Sequence, residues 1–184
     1  MKVKGTAFQA RKDTVIKTFG EARWKAFFSQ LAAREVFWNQ HVFASTLIPD
    51  DVFLDFQDAL VREFYAGDTQ AIWVFGAESA EWSLTEGPYR HFLNTRDLSD
   101  FVTSVIPSLW RAYYTDGRIE AKLVEKSAHV RVKGISTPHL HYELAVMGYI
   151  EKAIELIASD KVTTKRHQGF DSEDGEIHYE FVLD

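Results

Sequence analysis

The chain has 184 residues, 46% of them hydrophobic and 26% charged, which is enough apolar material for a buried core without covalent staples. Its net charge of −6 argues against a nucleic-acid or anionic-membrane surface, since both need a basic patch. The absence of cysteine excludes disulfides, thiolate metal sites and a cysteine nucleophile. No run approaches the ~20 apolar residues of a membrane span. The first dozen residues lack the apolar stretch of a secretory signal, so a cytoplasmic protein with no membrane insertion is expected. The aromatic content is high, with 14 Phe, 5 Trp and 7 Tyr; such rings fill cores and also line apolar ligand pockets.

Residues 2–8 read as a short strand or entry segment, and residues 11–19 carry Val15, Ile16 and Phe19 at helical spacing. Gly20 can end that helix. Residues 21–33 restart it with Trp24, Phe27, Phe28 and Leu31 on one face, whereas residues 37–48 fit neither period cleanly. Pro49-Asp50-Asp51 supplies a helix start with acidic first-turn residues. The stripe Val52, Phe53, Phe56, Leu60 and Phe64 follows, and Gly67 stops it. Asp68 can cap a further helix holding Ile72, Trp73, Phe75 and Trp82; Gly87-Pro88 breaks it, and Pro88 can open a short helix through Leu93. Asp97 caps a last helix over residues 98–114, in which the interior Pro107 predicts a kink that makes room for a pocket.

After Asp116-Gly117 the period changes from helical to alternating. Ile119, Ala121 and Leu123, then Ala128, Val130 and Val132, alternate with polar residues and predict a hairpin with one buried face. Thr137-Pro138 reads as a hydroxyl cap with proline at the first helical position. The helix it opens has a wide apolar arc through Tyr142, Val146, Tyr149, Ile150 and Ile157, leaving His141, Glu151 and Glu155 on the narrow remainder. Residues 161–167 and 176–183 form a second hairpin. The expected architecture is one α+β domain: an N-terminal helical part (1–116), then a β-β-α-β-β antiparallel sheet packed on a long central helix (117–184).

Two stretches carry a resemblance. MGYIEKAIELIASDKVTTKRHQGF, followed by IHYEFVL, resembles the C-terminal signature of 4-vinyl-reductase-type domains. Their wider fold is shared with haem–nitric-oxide-binding domains and the acyl-binding subunits of vesicle-tethering complexes. VKGTAFQARKDTVIKTFG resembles the opening of the haem-binding relatives, and LWRAYYTDGRIEAKL is similar to a paralogous myxobacterial family of unknown activity. The resemblance implies a sensory, signalling fold, yet the haem-binding pattern is not matched. The family's proximal His falls where this chain has Leu109 and Trp110, and GISTP (residues 134–138) lacks the Tyr and Arg of the Tyr-x-Ser-x-Arg motif. The cysteines of many 4-vinyl-reductase domains are also missing, so no cofactor and no metal are expected.

His139 and His141 would share a face on a strand, but on a helix they diverge. His139 and Glu143 stand at helical i, i+4 spacing as an acid–base couple or a local pair. The serines have no nucleophile-elbow context and the glycines no phosphate-loop pattern. What remains is the aromatic group Trp73, Trp82, Tyr89, Trp110, Tyr113 and Tyr114, with Arg111 and Arg90 as counter-charges for an acidic head. These are the candidate ligand-binding residues of a non-enzymatic domain that takes a hydrophobic small molecule and acts through a homodimer or signalling partner. The competing readings are a protein-interaction or tethering module with a filled core, and an enzyme using His139, Glu143 or His91.

Overall fold

The N-terminal strand closes the helical half against itself. In the computed structural model, which describes residues 1–87 and 89–184, β1 (Lys2–Lys4) pairs antiparallel with β2 (Leu47–Pro49), Val3 opposite Ile48. Both side chains are fully buried, and Val3 also bridges to Tyr114. α1 (Gly5–Phe19) begins earlier than the apolar spacing from Arg11 suggests. Its first residue must be glycine for a packing reason: a Cβ there would overlap the Phe43 carbonyl oxygen. Gly20, at φ +89°, turns the chain directly into α2 (Glu21–Arg34).

The segment that fitted neither period is a 3₁₀ turn (Val36–Asn39) followed by loop and β2. Trp38 from that turn stacks on Phe8 at 5.2 Å, in a cluster with Trp24, Phe28 and Phe56. α3 (Asp50–Tyr65) buries the expected stripe of Phe53, Phe56, Leu60 and Phe64. α4 (Gln70–Thr85) starts where Asp68 Oδ1 accepts from the Gln70 N–H at 2.9 Å. The helix start expected at Pro88 lies outside the described residues; α5 (His91–Thr95) follows.

Pro107 sits inside a continuous right-handed run, as its spacing predicts. α6 (Leu98–Asp100) widens through a π-helical turn (Phe101–Val105) into α7 (Ile106–Tyr113). A π turn shifts the hydrogen-bond ladder by a residue, which accommodates a position without an N–H.

β3 (Arg118–Val124) and β4 (Ser127–Lys133) form the first hairpin. The chain then crosses the sheet as α8 (Leu140–Ala158) and returns as β5 (Val162–Gln168) and β6 (Ile177–Leu183). The antiparallel order is β3-β4-β6-β5, so the last strand lies inside the sheet. Ala128 faces Phe181, Val130 faces Tyr179 and Val132 faces Ile177, all buried under α8. This is the α+β arrangement with a sheet packed on a long helix. Among the described residues no helix is long and apolar enough to cross a membrane.

α8 departs from expectation at its start. Its N-cap is His139, whose Nδ1 accepts from the His141 N–H at 3.1 Å, because the Thr137 hydroxyl donates instead to the Asp50 carboxylate. His141 is buried rather than exposed, facing Asp58 on α3.

Two glycines let α8 and α4 touch. A Cβ on Gly148 would overlap the Trp73 carbonyl oxygen, and one on Gly76 would overlap the Ala145 carbonyl and lie 2.8 Å from the Tyr149 nitrogen. Backbone is on the receiving side in both cases, so little can give. Gly148→Ala is expected to destabilise the protein by about 1–3 kcal/mol, the usual range for overpacking. Urea unfolding checks this: the midpoint drops at unchanged slope, although alanine has the better helix propensity.

Candidate functional site

Where α4, α7, α8 and β3 meet there is a cavity of about 40 Å³. Gly76 and Ser79 come from α4, Leu109, Trp110 and Tyr113 from α7, Ile119 from β3, and Ala145, Tyr149 and Ile150 from α8. Its shape follows from local choices already described: the glycine crossing draws α4 onto α8, and the π turn sets the direction of α7. Trp110 is locked by its indole N–H, which donates to the Asp116 carbonyl at 2.5 Å, and by Tyr114, whose ring lies 4.3 Å away. The Tyr149 and Ser83 hydroxyls share a hydrogen bond of 2.6 Å.

Arg11 of α1 also lines this cavity, and it is only 4% exposed. Its Nε donates to Gln57 Oε1 at 3.2 Å and its Nη1 to the Ala7 carbonyl at 3.3 Å. The Phe53 ring lies 5.9 Å from the guanidinium carbon. Burial pulls the guanidinium below its ordinary pKa. Burial also raises the phenols around it: Tyr114 is pushed up to about 12, and Tyr113 and Tyr142 are raised too. These tyrosines are therefore neutral near pH 7, and they offer Arg11 no negative charge.

A second depression of about 330 Å³ opens at the surface between α1 and α4. Gln9, Asp13 and Lys17 form one wall, Glu78 and Trp82 the other, and it shares Ser79 and Tyr113 with the cavity. These two side chains line both spaces.

The candidate residues read from the sequence fall in several places. Trp110 and Tyr114 line the cavity, and Trp82, 59% exposed, stands on the rim of the groove. Tyr89 packs against the core near Tyr113 and Tyr149. Trp73 points toward the sheet, its indole N–H donating to Glu151 at 2.8 Å. Arg111 is exposed on the outer side of α7, away from the cavity. The charged group that does face the cavity, Arg11, escaped sequence reasoning. A signal was available: Ala7, Phe8, Arg11 and Val15 fall on one helical face, so an arginine interrupts an apolar stripe.

The other titratable clusters have structural explanations. Glu143 does not pair with His139. Fully buried, it accepts from Arg166 Nε at 2.6 Å, the Tyr179 hydroxyl at 2.7 Å and the Phe170 N–H at 2.8 Å, joining α8 to β5 and β6. On the outer face of the sheet, His129 Nδ1 and His178 Nε2 lie 3.4 Å apart, and His167 stacks on His178. Among the described residues no group of three or more His, Asp or Glu is placed to hold a metal.

No family model and no curated protein matches the chain. Solved structures do. An H-NOX protein from S. oneidensis in the Fe(II)NO ligation state superposes with a TM-score of 0.73 at 10% identity, covering 98% of this chain and 99% of that one. An H-NOX domain from Shewanella oneidensis in the Fe(II)CO state gives 0.74 at 11% identity, with 98% of each chain covered. An unliganded Fe(II) H-NOX protein from K. algicida gives 0.67 at 12% identity, covering 98% and 96%. At these identities the likeness shows a shared fold.

That fold implies a haem, and the residues here do not fit one. Sites for ligands of drug size or larger need roughly 300–1,000 Å³, against about 40 Å³ here. The helix expected to supply an axial His places Leu109 and Trp110 against the cavity, and no histidine lines it. Among the described residues, the only lining side chains of a type that holds haem iron are Tyr113, Tyr114 and Tyr149, and the Tyr149 hydroxyl is already bonded to Ser83.

The sheet histidines generate a pH dependence. Burial first, then Arg131, His167 and His129, hold His178 down to about 4 from an ordinary 6.5. Its ring is neutral when folded but takes up a proton near 6.5 when unfolded, so the unfolded chain binds more protons between those values. Stability is expected to fall as pH drops from 6.5 toward 4. Urea midpoints across that range test it, and His178→Asn should flatten the slope; an equally steep slope in the variant counts against His178 as its source.

Proposed function

We propose that this chain is a non-enzymatic sensory domain that binds a small apolar molecule, on the haem–nitric-oxide-binding fold but without haem. The observation that carries the reading is the cavity lined by Tyr113 and Ser79, two side chains that also line an open groove. Rotation of Tyr113 would join the two spaces and admit a ligand larger than the inner cavity alone; such a pocket opens in a minor state that the ligand selects. Among the described residues neither a histidine nor a carboxylate, the groups that most often act as general base, lines the inner cavity. Its walls come from the helical half (α1, α4, α7) and from the sheet half (β3, α8), so occupancy would alter the packing between them. That change would reach a homodimer or signalling partner as a small movement of packed elements. Residues 147–170 and 177–183 support a place within this fold beside 4-vinyl-reductase-type domains, and residues 109–123 support the likeness to the myxobacterial paralogues.

A second reading, a protein-interaction or tethering module with a filled core, has support of its own. Val36 and Phe43, both between α2 and β2, are 79% and 61% exposed, large apolar side chains that a partner surface would cover. Native mass spectrometry of the purified protein, before and after denaturation, separates the two. A small-molecule adduct that is lost on unfolding is expected for the sensory domain. A clean mass, no thermal shift with any apolar probe and a dimer stable at low concentration would replace it with the interaction module.

A further inference from the structure

Arg11 is the least compensated charge in the interior. A guanidinium has five N–H bonds and stays charged even when buried. Two of the five reach protein acceptors, Gln57 Oε1 and the Ala7 carbonyl, which leaves three without one among the described residues. Arg11 forms no ion pair among those residues, although it is 4% exposed. The two bonds it makes, at 3.2 and 3.3 Å, are longer than the roughly 2.7–2.9 Å of a charge-assisted pair. Burying a cation in this way is costly unless something anionic completes the site.

Several polar groups around it lack a protein partner. Gln57 must turn its oxygen toward Arg11 Nε, which fixes the amide orientation and leaves Gln57 Nε2 buried without a partner. Tyr113 and Tyr114 line the same cavity, and neither hydroxyl bonds another described residue. The cavity of about 40 Å³ holds roughly three water-sized groups at about 10–15 Å³ each, which suits one compact anionic group.

We infer that Arg11 is the anchor of an anion site: the cavity takes a compact monoanion, held by the Arg11 guanidinium and the hydroxyls of Tyr113 and Tyr114. Two sources present this chemistry. One is the carboxylate head of an amphiphile whose tail lies past Tyr113 and Ser79 in the groove beside Trp82. The other is a free inorganic monoanion. The amphiphile form rests on the ligand-binding reading above and gives it a chemical class, an apolar tail with a single ionised head.

The test compares sodium decanoate, decanol and sodium nitrate on the full chain at pH 7 and constant ionic strength, by calorimetric titration and thermal unfolding. Decanoate is expected to bind at least about tenfold tighter than decanol, the difference a charged hydrogen-bonded contact makes. Arg11→Met should abolish that preference and Arg11→Lys should keep part of it. The wild-type comparison needs no variant, so it stands even if Arg11→Met fails to fold. Nitrate binding that Arg11→Met removes, with no response to decanoate beyond that of nitrate, assigns the site to a free anion. Decanol binding as tightly as decanoate, with no response to nitrate, overturns the anion site and leaves the apolar-ligand reading in place. If none of the three binds, both fall.

Discussion

The backbone contact between α4 and α8 is the constraint on which the site depends. Helices usually pack with axes about 8–10 Å apart, a spacing set by the side chains between them. At Gly76 and Gly148 there are no side chains, and each position faces carbonyl or amide atoms of the other helix. The sheet packs behind α8, so this contact also fixes how far the sheet stands from the helical half. Gly76 is itself a wall of the cavity, as are Ala145 and Tyr149 opposite it. The cavity is therefore small because the helices are close. A fold that elsewhere holds a porphyrin is here drawn tight around tyrosines and a tryptophan.

Two charges are buried in this interior, and their contrast separates structural from functional roles. Glu143 accepts from Arg166, the Tyr179 hydroxyl and the Phe170 N–H, three donors from three places in the chain, at 2.6 to 2.8 Å. Such a carboxylate is fully satisfied; removing any one partner would leave the rest of the network short. Arg11 has two long contacts to neutral acceptors and faces open space. Close packing elsewhere in the same core shows that the sequence can satisfy a buried charge when only stability is at stake. An interior cation without its counterpart is better explained by a ligand than by the fold.

Local periodicity made most elements legible. The stripes of α2 and α3, the alternation of β3, β4 and β6, and the stop at Gly20 all follow from spacing alone, because each element meets its neighbours through one face. Competition for partners hid the rest. Thr137-Pro138 is a strong helix start, yet Asp50, distant in sequence, takes the threonine hydroxyl, and His139 caps α8 instead. Gly5 fell within a stretch read as a short strand or entry segment, because the backbone that requires a glycine there belongs to Phe43. The β4–β6 pairing across α8 and the β1–β2 pair depend on long-range register that no single-segment pattern contains.

The site was half legible for the same reason. Trp110 and Tyr114 stood out by residue type, since large rings cluster at pockets. Arg111, beside them in sequence, was the natural counter-charge, but adjacent helical residues point about 100° apart and do not share a face. The charge that reaches the cavity comes from α1, far away in the chain, because β1 pairs with β2 and Val3 bridges to Tyr114. That bridge lays the first helix across α7 and brings Arg11 over the tyrosines. The cavity thus takes its cation from one half of the chain and its far wall from the sheet helix of the other. The charge that makes the site unusual is also a point at which the two halves meet.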